Sequence, residues 1–371
     1  MRGRFTPKGL NEVEEMQGRG VASAVDLRSD SVTRPTVEMR RALMAAEVGD
    51  DAYGDDPTVN RLQARAAELL GQEAALFVPS GTMANQIAAH LHTRPGQEIV
   101  CEARAHIYTM EGAMTAVLSG CQFRPVEVAS GRLTWGAAEP ALRLEGTLIA
   151  PERQPTTGLV VAENTHAAAS GAVTTVAMGA DLCRRMRALG VPVHLDGARL
   201  FNAATALGVE VRALAEGFDS VMVCLAKGLG APAGAVLAGR GAWIRRARGV
   251  RQRLGGGMNQ TGVLAAAGLV ALEKGPERLT EDHALARRLA EGAVMIAGVR
   301  CDLDAVATNI VIVDVTQTEF TAQHVAAKLL ERNVLVHALD VGRLRLVTHR
   351  DLDTARCDEA LFALRAVIER E

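Results

Sequence analysis

Ser220-Val-Met-Val-Cys-Leu-Ala-Lys227-Gly-Leu-Gly230-Ala-Pro232-Ala-Gly234 is the stretch that decides the fold. It opens as a short apolar run with glycines after it, the pattern of a buried strand, and the run leads directly into Lys227. An amine at such a strand end has apolar neighbours before it and glycines behind it. Desolvation in that setting disfavours an ammonium, and a neutral amine can attack a carbonyl to form a Schiff base. Two plainer readings stand beside this one. Lys227 also suits a surface lysine in a tight turn, and Gly228, Gly230 and Gly234 resemble a dinucleotide-binding loop. Pro232 opposes the loop, because the phosphate-binding helix has to open there with free N–H groups.

Outward from Lys227, His194-Leu-Asp196-Gly-Ala-Arg199 places an acid at the end of the strand Val193 to Leu195. Ligands of open α/β sheets bind at the carboxyl ends of strands, where Asp196 and Lys227 both fall. An amine and an acid so placed suit pyridoxal phosphate: the lysine holds the aldehyde and the aspartate keeps the ring nitrogen protonated. Val78-Pro-Ser80-Gly81-Thr82 leaves a strand and enters a helical run, so backbone N–H groups and the Thr82 hydroxyl are available to a phosphate. An ordinary helix cap accounts for the same residues.

The other strand candidates are Ala75 to Val78, Glu98 to Cys101, Leu159 to Ala162 and Gly234 to Ala238, with helical stretches between them such as Pro57 to Leu70 and Asp181 to Leu189. This alternation predicts an α/β fold, a sheet covered by helices. Residues 26–257 are assigned to a large cofactor-binding domain and residues 258–371 to a smaller α+β domain. In the second, a helix from Gln260 to Lys274 is expected to stop at Gly275-Pro276, and a new one to begin at Pro276. Residues 1–25 are read as a mobile tail, or as an over-long start to the chain.

Composition narrows the function. Across 371 residues, 41 Lys and Arg nearly balance 43 Asp and Glu, without the clustered basic excess that nucleic acid demands. Seven Phe, two Tyr and two Trp leave few platforms for unpaired bases. No apolar run reaches the roughly 20 residues of a membrane span. The six cysteines form no CxxC pair, so they read as reduced core thiols of a cytoplasmic protein, with no metal site or disulfide framework. Arg245, Arg246, Arg248, Arg251 and Arg253 read as a solvated helix face, one member of which is placed to reach a phosphate across a subunit boundary.

Nine motifs in order carry a family resemblance: Asp26-Leu-Arg-Ser29-Asp30-Ser-Val-Thr33-Arg-Pro35, Val48-Gly-Asp-Asp51-Ala-Tyr53-Gly-Asp55-Asp-Pro57, Ser80-Gly-Thr82, Ala105-His106-Ile-Tyr108, Glu163-Asn-Thr-His166, Asp196-Gly-Ala-Arg199, Lys227-Gly-Leu-Gly230, Gly255-Gly-Gly-Met258 and Arg345-Leu-Val-Thr-His349. The chain resembles the low-specificity L-threonine aldolases, pyridoxal phosphate enzymes of the aspartate aminotransferase-like fold (fold type I), which implies a mainly parallel central sheet of the seven-stranded type and a smaller C-terminal α+β domain. The resemblance implies retro-aldol cleavage of L-threonine and L-allo-threonine to glycine and acetaldehyde in a homotetramer built from dimers. Lys227 then matches the lysine of the internal aldimine, Asp196 the partner of the pyridine nitrogen, and Gly81 with Thr82 the phosphate grip. His106 matches the histidine stacked on the ring, and His166 a second histidine near the substrate hydroxyl. Ser29, Arg199 and Arg345 match the holders of the substrate carboxylate, Arg199 also belonging to the cofactor set. Two positions depart from the family: Asn259 replaces a common arginine near the phosphate, and Ala167 a common asparagine. The alternatives are a related β-eliminating lyase and a non-catalytic cofactor-binding homologue.

Overall fold

The computed structural model describes residues 24–147, 149–150 and 152–370. Its strands are β1 (Val25–Asp26), β2 (Ala74–Val78), β3 (Glu98–Glu102), β4 (Gln122–Val126), β5 (Thr157–Glu163), β6 (Val193–Asp196), β7 (Ser220–Cys224), β8 (Ala235–Gly239), β9 (Ile310–Asp314), β10 (Val334–Leu335), β11 (His337–Ala338) and β12 (Arg343–Val347). Seven of them form the central sheet in the order β2-β8-β7-β6-β5-β3-β4. β8 runs antiparallel to β2 and β7, and the remaining pairs are parallel. The fold is therefore α/β with a mainly parallel seven-stranded sheet, as expected.

Every residue of β3, β5, β6, β7 and β8 is buried, because helices cover both sheet faces. The two-residue period of a strand divides its side chains between these faces. Val221 and Val223 join one core with the long helix Gly262–Ala293, while Met222 and Cys224 join another with the helix Gly81–His92. A further core gathers Val25, Leu27, β9, β12 and the helix Thr354–Arg370, around the small antiparallel sheet β11-β12-β9.

The expected break at Gly275-Pro276 does not occur. Gly262–Ala293 is one 32-residue helix with Pro276 inside it. A proline costs the helix one N–H bond, and packing outweighs that loss here. A Cβ on Gly275 would lie 2.9 Å from Leu229 Cα, so the backbone is pressed against the segment that follows Lys227. The helix supplies Ala267, Ala271 and Leu272 to the first core and Leu285, Leu289 and Ala293 to the last.

Much of the expected N-terminal tail, residues 1–23, lies outside the described residues. Val25 is fully buried and pairs with Val334. The basic run is not a uniformly solvated face either. Arg251 is 1% exposed; it lies 2.6 Å from Asp51 and donates to the Phe77 carbonyl at 2.8 Å.

Candidate active site

The parallel strands bring three acids to one sheet edge, where Glu102, Glu163 and Asp196 end β3, β5 and β6. Glu163 and Asp196 are register partners. Lys227 follows β7, the neighbour of β6. It is half-buried, it interacts electrostatically with Asp30 and His106, and no hydrogen bond or ion pair engages its amine among the described residues.

Asp196 is 2% exposed. One of its oxygens accepts from Asn85 Nδ2 at 2.8 Å and the other from the Ala198 N–H at 3.1 Å. His106 opens a short helix beside it, its N–H bonded to Glu163 at 2.8 Å and its Nδ1 2.9 Å from Glu111 Oε1. Ligating atoms of His106, Glu111 and Asp196 all lie within 4.8 Å of one another. The bond to Glu111 raises the His106 pKa from its ordinary value, with burial opposing.

Ser29, Arg199 and Arg345 are brought together as well. Asp30, fully buried beside Ser29, takes two bonds of 2.7 Å from Arg199, one from Nε and one from the terminal nitrogen. Asn309 adds a donor to Asp30 at 3.1 Å. Arg345 donates to the Arg28 carbonyl at 3.3 Å, and its Nε is buried with no acceptor among the described residues. The Asp30 fork fixes the guanidinium plane of Arg199, while the unpartnered Arg345 Nε is positioned for an incoming anion.

His166 is 1% exposed, and its Nε2 lies 2.9 Å from Glu102 and 3.9 Å from Glu163. Burial pushes its pKa down, but the two carboxylates outweigh burial and the net shift is upward. The ring sits against two carboxylates at the acidic edge, which favour its charged form.

At the other end of the site, Ser80 caps the helix Gly81–His92 by accepting from Met83 N–H at 3.2 Å. Gly81 and Thr82 thus stand at the open, positive end of the helix. A Cβ on Gly81 would lie 2.7 Å from Cys224 Sγ, so only glycine lets the backbone come this close to β7. Asn259 donates to Asp50 at 2.8 Å.

These residues fit pyridoxal phosphate. Asp196 is a buried acid with no cation paired to it among the described residues, which a protonated pyridine nitrogen would complete. The helix end suits the phosphate, and Lys227 suits the aldehyde.

The sequence gives no role to Asp30, Asn85, Glu102, Glu111 or Glu163, although Asp30 and Glu163 lie within two of the nine motifs. Glu102 and Glu163 carry the same signal as Asp196, since each ends a strand. Asn85 and Glu111 meet across 26 positions of chain and give no local signal.

The beta-eliminating lyase family model matches residues 26–318. The chain is 42% identical over 339 residues to low-specificity L-threonine aldolase 1 of Arabidopsis thaliana, covering 90% of this chain and 94% of that protein. It is 40% identical over 346 residues to the low specificity L-threonine aldolase of Escherichia coli O157:H7, covering 93% and 100%. The solved Leishmania major threonine aldolase shares the fold, with a TM-score of 0.72 and 21% identity across 92% of this chain and 99% of that one. The chain belongs to the low-specificity L-threonine aldolase family of pyridoxal phosphate-dependent, beta-eliminating-lyase-type enzymes.

Proposed function

We propose that the chain cleaves the Cα–Cβ bond of L-threonine and L-allo-threonine, giving glycine and acetaldehyde. The observation that carries this reading is the Arg199 and Arg345 pair, which interact electrostatically with each other beside Lys227 and Asp196. Two guanidinium groups and Ser29 hold an α-carboxylate in one orientation. When bound, pyridoxal phosphate supplies an electron sink for whichever Cα bond stands perpendicular to its ring. The arginine clamp selects that bond, Lys227 anchors and releases the cofactor's aldehyde carbon, and Asp196 keeps positive charge at the far end of the ring.

The β-hydroxyl has to lose its proton. His166 is buried, and its Nε2 is already engaged by Glu102 at 2.9 Å. The reading gives it charge balance and leaves the proton to His106 or to water bound at that ring. Arg199 serves the substrate carboxylate and, through Asp30, the framework beneath it.

Purified protein incubated with L-threonine, alcohol dehydrogenase and NADH is expected to consume NADH in step with glycine release. Formation of 2-oxobutanoate and ammonia with no NADH loss would favour the β-eliminating alternative. Loss of neither would favour the non-catalytic one.

A homotetramer is part of this reading. Tyr108, Met110, Met114 and Val117, on the short helices His106–Thr109 and Met114–Ser119 and the turn between them, are exposed apolar residues beside the site, and they support a subunit boundary there. Light scattering is expected to give four times the chain mass, and a monomer would contradict shared sites. The division into domains at residue 257 and a cytoplasmic setting belong to the same reading. All six thiols are free, and among the described residues no helix is long and apolar enough to cross a membrane.

A further inference from the structure

Asn85 sits fully buried on the helix Gly81–His92, one turn inside the proposed phosphate end. Its Nδ2 donates to Asp196 Oδ2 and to Glu111 Oε1, both at 2.8 Å. A carboxylate only accepts, so both amide hydrogens are spent and Oδ1 must face the other way, toward His194 Nε2 at 3.0 Å. An amide oxygen accepts, so His194 carries its proton on Nε2. Burial pushes the His194 pKa down to about 3, so the ring is neutral and Nδ1 is bare. Ser220 Oγ, 2.8 Å away, therefore donates to Nδ1. Its hydrogen now spent, Ser220 accepts from His92 Nε2 at 2.9 Å. Every hydrogen in the chain is assigned, and each bond points from His92 toward the two carboxylates.

Glu111 Oε1, which accepts one of the Asn85 hydrogens, lies 2.9 Å from His106 Nδ1. Glu111 Oε2 accepts from Gln86 at 2.7 Å. A single amide thus holds the acid assigned to the pyridine nitrogen and the acid that orients the histidine assigned to the ring face.

We propose that Asn85 is a positioning residue that fixes Asp196 and His106 relative to one another, so that the cofactor ring is gripped at its edge and its face by one rigid hub. The proposal rests on the cofactor roles given to Asp196 and His106 above. Removing a partner that orients a metal ligand costs about 10- to 100-fold in affinity or activity, and the same order is expected for a partner that orients the acid on a pyridine nitrogen. A buried network with every member satisfied transmits position without slack.

The test compares Asn85→Leu with Asp196→Ala. The dissociation constant for pyridoxal phosphate is measured on protein resolved of cofactor, and kcat and KM for L-threonine on the reloaded enzyme. Asn85→Leu is expected to weaken cofactor binding by about 10- to 100-fold and to lower kcat similarly, with KM changed less than about threefold. Unchanged cofactor affinity in Asn85→Leu, with affinity lost in Asp196→Ala, would overturn the hub while leaving the Asp196 assignment standing. If neither substitution changes affinity, the Asp196 assignment falls and the hub with it. Should Asn85→Leu not fold, nitrogen NMR of the histidines in the unaltered protein decides. His194 is expected to stay neutral, protonated on Nε2, between pH 5 and 8 (about two units or more above its shifted pKa). A ring that titrates in that window or carries its proton on Nδ1 would overturn the proposal.

Discussion

Lys227→Ala is expected to lower turnover of L-threonine by roughly 10³- to 10⁴-fold and to leave bound pyridoxal phosphate removable by simple dialysis. The reason lies in the chain's local order. An apolar strand delivers the lysine to the carboxyl edge of the sheet, no side chain among the described residues competes for its amine, and Asp30, Asp196 and Arg199 lie close to it around Cys224. Lys227→Arg separates nucleophile from charge, since guanidinium stays protonated and cannot attack a carbonyl. It is expected to be as inactive as the alanine variant. Activity within tenfold of the parent in either variant would show that the amine does not hold the cofactor. Dialysis followed by absorbance and a product assay checks both.

Asp30→Asn is expected to cost about 3–5 kcal/mol of stability, because it leaves the Arg199 guanidinium buried with its charge uncompensated. Asp30 is fully buried and Arg199 5% exposed, so water does not make good the loss. Urea denaturation measures it. A double variant, Asp30→Leu with Arg199→Met, is expected to recover most of the stability, since replacing a buried ion pair by apolar residues is often neutral or stabilising. Activity is not expected to return, because the carboxylate holder is gone. The pH dependence has a definite sign. Burial raises the Asp30 pKa, but Arg199 outweighs it and holds the group at about 2, below its usual 3.8. A depressed folded value contributes stability that is fully present above the unfolded pKa and lost as pH falls through about 2. The contribution of this pair should therefore decline only below about pH 4, and Asp30→Asn should show less acid dependence than the parent across that range.

How much of this was legible in the sequence differs by residue. β6, β7 and β8 were readable because each is an apolar run with turn residues after it, and Asp196 and Lys227 followed from the strand-end rule. β4 went unread because Gln122 and Arg124 break its apolar pattern and Pro125 lies within it. Proline is tolerated there because β4 is the last strand of the sheet. The proline in the helix Gly262–Ala293 misled for the opposite reason: punctuation that ends an isolated helix is overridden when both sides are packed against a core. Arg251 looked solvated because its partner Asp51 lies 200 positions away in the chain. Asn85, Glu111 and His194 share that limit. Their meaning lies in which atoms face each other, and a lone buried asparagine or histidine in a sequence is more often a satisfied core residue.

Product analysis in deuterium oxide tests the central claim, cleavage of the Cα–Cβ bond, most directly. With L-threonine as substrate, proton NMR is expected to show acetaldehyde and glycine in a one-to-one ratio, the glycine carrying at least one deuterium at Cα from solvent. Accumulation of 2-oxobutanoate and ammonium with no glycine would contradict the account.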